Sequence, residues 1–245
     1  MRAEQPAACA GMTTLGILGG TFNPPHLGHL ALARHAREQL GLQRLLLVPA
    51  YTAPFKARGD DGWQGASEGG RRGRDPGPQH RLRMCELVAS GVAGVRVCAL
   101  ELQRGGVSYT VDTLTALHDS HPQAQLTLIV GADVAGTLGS WHEPARLLQL
   151  AHLAVAGRPG APRASVLEAL AGLGVAPAQD TAGSQRVSFL EMPAIEISSS
   201  LVRQRVARGE PIEELVGGAV AGYIAEHGLY RAPAHPRHGH TRAGA

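Results

Sequence analysis

The sequence predicts an α/β domain built on a parallel sheet that helices cover on both faces. One observation is an apolar segment, Leu15–Leu18, followed by a Gly-Gly turn and by helical periodicity from about Leu27. Another is that further continuous apolar segments, such as Arg44–Val48, follow predicted helices. Continuously apolar strands that alternate with helices are typical of buried parallel sheets. With 245 residues, 44% of them hydrophobic, the chain is long enough for one sizeable core.

Each element follows from a local pattern of apolar residues between turn formers. The predicted strands are Leu15–Leu18, Arg44–Val48, Val95–Cys98, Leu126–Val130, Ala151–Ala156 and Val187–Met192. The predicted helices begin at about Leu27 and at Ser198–Ser200, and run over Gln79–Ala89, Tyr109–His118, Pro144–Leu150, Pro162–Val175 and Glu213–His227. Gly41 is predicted to end the first helix, and Ser108 to cap the helix that begins at Tyr109.

The rest of the chain predicts one domain with flexible additions. Residues 1–14 show no periodicity and are interpreted as a disordered leader, with Met12 as an alternative start. Residues 15–231 form the domain, and an insertion at about residues 57–78 is rich in Gly, Arg and Asp, which predicts a mobile lid or disorder. Residues 232–245 are interpreted as a disordered tail, with metal binding through their three histidines as the alternative.

Composition and charge exclude several classes of protein. The net charge of +3 and the isoelectric point of about 9.0 are compatible with phosphorylated ligands. Aromatic residues make up only 4% of the chain and do not alternate with basic ones, so no nucleic-acid partner is predicted. No apolar run approaches the ~20 residues of a membrane span, and no signal peptide is evident, which predicts a cytoplasmic protein without a membrane partner. Cys9, Cys85 and Cys98 lack metal-ligand spacing and are interpreted as reduced thiols.

The first strand, turn and helix start together predict a phosphate site. Gly19 and Gly20 let backbone N–H groups approach an anion, and the helix start adds partial positive charge. His26 and His29 share one face of the first helical turn because they are three residues apart. An imidazole pair there indicates charge stabilisation of a reacting phosphate, with one core and one capping histidine as the structural alternative. The glycine spacing fits neither the dinucleotide fingerprint nor the P-loop.

The segment Gly19–His29, GGTFNPPHLGH, resembles the G-G-T-F-x-P-x-H-x-G-H signature of the nucleotidyltransferases, whose histidines bind the triphosphate of ATP. The segment Ile197–Arg203, ISSSLVR, resembles the family's I-S-S/A-T/S-x-I/L-R motif, with Ser200 where threonine is common. Serines at a helix start satisfy free N–H groups, and a hydroxyl with an arginine one turn in can hold a phosphate. The resemblance implies ATP binding by Gly19, Gly20, Thr21, Phe22, His26, His29, Ser198, Ser200 and Arg203.

A third segment, Glu101–Leu114, resembles the family's E-L-x-R-x-x-x-S-Y-T-x-x-T-L segment. The resemblance implies that Tyr109 and Thr110 line a pocket for a pyridine nucleotide. Asp133 follows the strand Leu126–Val130, at the strand end where ligands of parallel sheets collect. Its carboxylate is interpreted as an acceptor for ribose hydroxyls or as a helix N-cap, and the two interpretations are compatible.

Four further residues are assigned to this pocket. Trp141 and His142 match the family's W-[YH] pair, which implies that the Trp141 ring stacks on an electron-poor nicotinate ring. A core tryptophan is the alternative. Lys56, the only lysine, ends a segment that resembles the family's Pro-Pro-His/Leu-Lys/Arg, with chance retention on the surface as the alternative. Arg158, in an Arg-Pro-Gly segment, is implied to lie near the nucleotide.

From about Leu15 to Arg231 the chain resembles the bacterial nicotinate-nucleotide adenylyltransferases. The resemblance implies a doubly wound, open parallel sheet of the Rossmann-like nucleotidyltransferase type. It implies adenylyl transfer from ATP to nicotinate mononucleotide (NaMN), with His26, His29 and Arg203 as catalytic residues. Mg²⁺ would arrive with ATP, and no site for a metal held by the protein is predicted. The alternatives are a 4′-phosphopantetheine acceptor and a non-catalytic nucleotide sensor, and a homo-oligomer is left open.

Overall fold

A single parallel sheet of six strands forms the centre of the computed structural model, which describes residues 14–54, 75–157, 163–172, 187–193 and 195–231. The strands are β1 (Thr14–Gly20), β2 (Arg44–Pro49), β3 (Val95–Val97), β4 (Gln125–Gly131), β5 (His152–Gly157) and β6 (Val187–Glu191). Their order across the sheet is β3-β2-β1-β4-β5-β6, with every pair parallel. The order reverses between β1 and β4, where open α/β sheets bind ligands at the carboxyl ends of the strands. The predicted doubly wound α/β fold is confirmed.

Helices lie on both faces of this sheet. They are α1 (Leu27–Gln39), α2 (Pro78–Ala89), α3 (Leu100–Arg104), α4 (Thr110–Ser120), α5 (Ala132–Ala135), α6 (Pro144–Leu150), α7 (Arg163–Ala171), α8 (Ser199–Arg208), α9 (Glu213–Val216) and α10 (Gly218–Glu226). A turn of 3₁₀ helix, Leu138–Ser140, precedes α6.

Two hydrophobic clusters cover the two faces of the sheet. In the first, α1, α2, α8, α9 and α10 pack on side chains such as Leu47 of β2. In the second, α4, α5, α6 and α7 pack on side chains such as Val48 of β2 and Leu128 of β4. Successive residues of a strand point to opposite faces, so a strand covered on both sides must be apolar throughout. This is the physical reason for the continuous apolar runs in the sequence.

The predicted strands are all present, and the first helix begins at Leu27 as expected. Gly41 follows that helix with a φ of +60°, which confirms the predicted stop. The prediction for Ser108 was wrong, because Tyr109 is the N-cap residue of α4 and the Ser108 hydroxyl accepts the backbone N–H of Tyr51 at 2.9 Å. The helix α3 was not predicted, since five residues are too few to show a helical period.

The predicted closing helix, Glu213–His227, is two helices, because Gly217 has a φ of +82° and interrupts it. The predicted leader and tail, and residues 57–74 of the predicted insertion, lie outside the described residues. Within the described part of the chain, no helix is both long enough and apolar enough to cross a membrane.

Candidate active site

The candidate site is centred on the phosphate turn, residues 21–26, which joins the carboxyl end of β1 to the start of α1. Its residues are unusually buried for a surface turn: Phe22 is 2% exposed, Asn23 6% and His26 7%. Phe22 has a φ of +50°, a left-handed conformation that only surrounding contacts can hold in a phenylalanine. Its ring lies edge-on to the His29 ring, with 4.9 Å between the centroids. The turn is therefore packed into place rather than free.

His26 and His29 are stacked on each other, as their spacing predicts, with ring centroids 3.7 Å apart. The backbone N–H of His26 donates to Nδ1 of His29 at 3.2 Å. Gly28 lies directly beneath the pair, and a Cβ atom there would stand only 3.0 Å from Nδ1 of His26. A side chain at position 28 would therefore push the His26 ring away, which explains the glycine between the two histidines.

Burial determines the charge of this pair. It lowers the pKa of His26 to about 4. It lowers the pKa of His29 to about 3, with a smaller contribution from the neighbouring His26. Both imidazoles are therefore neutral near pH 7. Because Nδ1 of His29 accepts a hydrogen bond, the neutral ring carries its proton on Nε2, which is available as a donor. The predicted charge stabilisation of a phosphate would therefore come from the N–H donors of a neutral pair.

The start of α8 contacts the phosphate turn directly. Ser198 is the N-cap residue as predicted, and its Oγ accepts the backbone N–H of Leu201 at 3.1 Å. Ser199 Oγ donates to the carbonyl oxygen of Pro24 at 2.8 Å. Arg203 donates to the carbonyl oxygen of Asn23 at 2.6 Å and to Ser200 Oγ at 3.0 Å. The two predicted ATP motifs, far apart in the chain, therefore meet at one turn.

Sequence reasoning missed two residues that hold this turn. Tyr230 is 3% exposed, and its hydroxyl donates to Asn23 Oδ1 at 2.7 Å. Burial raises the pKa of Tyr230, so the hydroxyl keeps its proton and acts as a donor. Arg81 of α2 is 2% exposed and donates to the carbonyl oxygen of Thr21 at 2.8 Å. The sequence signal that could have revealed Tyr230 is the Gly-Leu-Tyr segment at the end of the domain. For Arg81 the only signal is an arginine within an apolar helical pattern.

The predicted acceptor side is more open. The Tyr109 and His142 rings are in contact, with centroids 4.4 Å apart, next to Thr110 at the start of α4. Trp141 is partly buried against the second hydrophobic cluster, and its Nε1 donates to Thr137 Oγ1 at 3.1 Å. Asp133 is exposed in the first turn of α5. The N-cap interpretation of Asp133 was wrong, because Gly131 occupies that position.

Two predicted residues, Lys56 and Arg158, lie outside the described residues. Among the residues that the structure describes, no group of three or more His, Cys, Asp or Glu side chains is placed to hold a metal ion. The donors around the phosphate turn are neutral imidazoles, hydroxyls and a guanidinium, which suit an anion better than a hard cation such as Mg²⁺, whose preferred protein ligands are carboxylate and carbonyl oxygens.

A doubly wound parallel sheet with a histidine pair and a serine-arginine helix start at its switch point defines a protein of the nucleotidyltransferase class. Consistent with this, residues 17–63 match the family described as cytidylyltransferase-like. A probable nicotinate-nucleotide adenylyltransferase of Roseiflexus sp. (strain RS-1) is 41% identical over 217 residues, 89% of this chain and 98% of the relative. One of Salinibacter ruber is 36% identical over 218 residues, 89% of this chain and 98% of the relative. The chain therefore belongs to the nicotinate-nucleotide adenylyltransferase family.

Solved structures show the same fold. The nicotinic acid mononucleotide adenylyltransferase of Plasmodium falciparum, complexed with NaAD, superposes with a TM-score of 0.64. It is 16% identical, and the alignment covers 89% of this chain and 97% of that one. A putative nicotinate-nucleotide adenylyltransferase from Vibrio parahaemolyticus gives a TM-score of 0.54 at 17% identity, covering 91% of this chain and 98% of that one.

Proposed function

We propose that this protein transfers the adenylyl group of ATP to NaMN, giving nicotinate adenine dinucleotide and pyrophosphate in NAD biosynthesis. The observation that carries the proposal is the meeting of the neutral histidine pair and the Ser200–Arg203 helix start at one buried turn. Membership of the adenylyltransferase family supports the choice of acceptor. We place the reaction in the cytoplasm.

The chemistry needs positioning more than protein nucleophiles. A phosphate oxygen of NaMN attacks the α-phosphorus of ATP in line, and the bond to the β-phosphate breaks to release pyrophosphate. The attacking phosphate is already ionised near pH 7, so the step requires no strong general base. Catalysis then consists of holding two anions at attack distance and stabilising the charge that develops.

On the ATP side, we assign the triphosphate to His26, His29, Ser200 and Arg203, with Gly19, Gly20, Thr21, Phe22 and Ser198 completing the site. Arg203 brings a permanent positive charge, and the two imidazoles bring N–H donors. A bound triphosphate favours the protonated form of a nearby imidazole and so raises its pKa.

The divalent metal that adenylyl transfer uses is proposed to be Mg²⁺ carried by ATP. Mg²⁺ is commonly bound through phosphate oxygens and water with few protein ligands. The donor set of the described residues fits this arrangement, because it is suited to phosphate oxygens and includes no ligand cluster. When bound, the ion neutralises phosphate charge, while Arg203 and the histidines orient the phosphates.

On the acceptor side, we assign NaMN to Tyr109, Thr110, Asp133, Trp141 and His142, together with Lys56 and Arg158. The exposed Asp133 carboxylate at the end of β4 is suited to accept hydrogen bonds from ribose hydroxyls. The partly buried Trp141 offers an indole face to a pyridinium ring.

The test is pyrophosphate release with ATP and Mg²⁺, offering NaMN, nicotinamide mononucleotide and 4′-phosphopantetheine in parallel. We expect turnover with NaMN and a strong preference for it over the amide. Preference for nicotinamide mononucleotide would keep the chemistry and contradict the acceptor assignment. Turnover with 4′-phosphopantetheine alone would replace the acceptor, and no release with any of the three would favour a nucleotide sensor.

A further inference from the structure

The guanidinium of Arg81 is buried among backbone carbonyls at the carboxyl edge of the sheet. Its Nη1 donates to the carbonyl oxygens of Thr21 at 2.8 Å and Ala50 at 2.6 Å, and its Nη2 donates to that of Tyr51 at 2.9 Å. Its Nε donates to Asp75 Oδ1 at 3.1 Å. Thr21 belongs to the phosphate turn, and Ala50 and Tyr51 directly follow β2. One side chain therefore joins the loops that leave two neighbouring strands.

A second buried network begins at the backbone of the same residue, Tyr51. Its N–H donates to Ser108 Oγ, whose own backbone N–H donates to the carbonyl oxygen of Thr52 at 2.9 Å. The Ser108 hydroxyl also hydrogen-bonds the buried Glu101 carboxyl, which accepts from Thr113 Oγ1 of α4 at 2.7 Å. The Tyr51 backbone is thus held at its carbonyl oxygen by Arg81 and at its N–H by Ser108, which directly precedes Tyr109 and Thr110.

We infer that Arg81 is a positioning residue that holds the phosphate turn and the Tyr109–Thr110 acceptor segment at a constant separation, acting through the Tyr51 backbone and Ser108. The inference rests on the proposed function, because the two segments are those assigned to ATP and to NaMN. In-line transfer needs both anions at attack distance, and a displacement of ~1 Å can cost about a hundredfold in rate.

The chemistry of arginine suits this task. Its planar fork places several donors at constant angles and keeps its proton at any relevant pH. A lysine in its place would keep the positive charge but present it as one point, unable to reach the Thr21, Ala50 and Tyr51 carbonyls in the same geometry. Asp75, 24% exposed, balances the charge and also accepts the backbone N–H of Gly77 at the start of α2.

The test compares Arg81→Lys with Arg83→Lys, an exposed arginine on the same helix that pairs with Glu86. Assays run with NaMN and ATP well below the melting temperature of each variant. We expect Arg81→Lys to lower kcat about 10- to 100-fold while the KM of each substrate changes by less than about threefold. Arg83→Lys should match the wild type. A purely structural role would lower the melting temperature without this separation of kcat from KM.

Two further variants make the test independent of how well Arg81→Lys folds. Asp75→Asn keeps the arginine and removes its counter-charge, and should lower kcat in the same direction. The double variant Arg81→Lys, Ser108→Ala should lose less kcat than the product of the two single losses, since both residues act on the Tyr51 backbone. If the wild type is active but kcat is unchanged in Arg81→Lys or in Asp75→Asn, the inference about Arg81 is overturned and the proposed function stands. A wild type inactive towards NaMN would overturn the proposed function and the inference with it.

Discussion

The ATP side and the acceptor side of the candidate site are built in opposite ways. Around the phosphate turn, Phe22 and Tyr230 are almost fully buried, and side chains from α2, α8 and the segment after α10 hydrogen-bond its backbone or Asn23. On the acceptor side, Asp133 and His142 are exposed, and Trp141 makes one side-chain hydrogen bond, to Thr137. The ATP side is held in place by packing and hydrogen bonds, whereas the acceptor side is more exposed to solvent.

This contrast in burial separates transition-state stabilisation, on the ATP side, from ring recognition, on the acceptor side. Donors that stabilise a transition state act well only when they are held in place beforehand, so they belong in the packed region. Ring recognition needs contact area, which the partly buried Trp141 and the exposed His142 can supply. Substitutions on the ATP side should therefore lower kcat or stability, while substitutions on the acceptor side should raise KM for NaMN.

The largest expected effect comes from a substitution among the phosphate-facing donors of the ATP side. His29→Ala should lower kcat about 10²- to 10³-fold, because it removes one preorganised donor to the phosphates. KM for NaMN should change little. Steady-state pyrophosphate release measures both values, and His35→Ala on the same helix is the control. Turnover within a factor of a few of the wild type would contradict the assignment of His29.

A pH series sharpens the claim that the histidine pair is buried and neutral. Between about pH 7.5 and pH 5 the unfolded chain protonates His26, whose usual pKa is 6.5, while the folded chain does not until its pKa of about 4. The unfolded state then binds more protons, so the free energy of unfolding falls as pH falls, by about 2 kcal/mol from this residue.

Urea unfolding at the two pH values measures this fall. His26→Gln should reduce it by about 2 kcal/mol, because glutamine does not titrate. His118→Gln, at an exposed position of α4, is the control and should leave the fall unchanged. An equal fall in the wild type and His26→Gln would show that the His26 ring is solvated.

Tyr230→Phe tests how the segment after α10 anchors the phosphate turn. Losing the buried hydrogen bond to Asn23 should lower the free energy of unfolding by about 1–2 kcal/mol. Tyr223→Phe is a matched control, since the Tyr223 hydroxyl contacts His80 in a half-buried position and should cost less. Equal losses of unfolding free energy in the two variants would contradict the idea that the buried Tyr230 hydrogen bond anchors the turn more strongly.

The smallest expected effect falls on the acceptor side. Trp141→Ala should raise KM for NaMN about fivefold, equivalent to ~1 kcal/mol of lost ring contact, with kcat nearly unchanged. Trp141→Phe should recover part of the affinity, because it keeps an aromatic face. A lower kcat with an unchanged KM for NaMN would mean that Trp141 positions the ATP side instead of binding the ring.

Local patterns in the sequence were enough to predict the strands, most of the helices and the shared face of the histidine pair. Continuous apolar strands that alternate with helices predicted the parallel sheet, and the spacing of His26 and His29 predicted their shared face, since both depend on local periodicity. The serine run predicted the helix start at Ser198 for the same reason. These features need only a few consecutive residues to be read.

The way in which distant segments meet, and the charge that their side chains carry, follow from long-range packing. Arg81, Tyr230 and Ser108 bond residues that are remote in the chain, so no local pattern reveals their partners. The neutral state of the histidine pair is likewise a consequence of burial, which depends on packing by the rest of the fold. Periodicity depends only on neighbouring residues. Desolvation and long-range hydrogen bonds form only when distant segments of the folded chain pack against the turn.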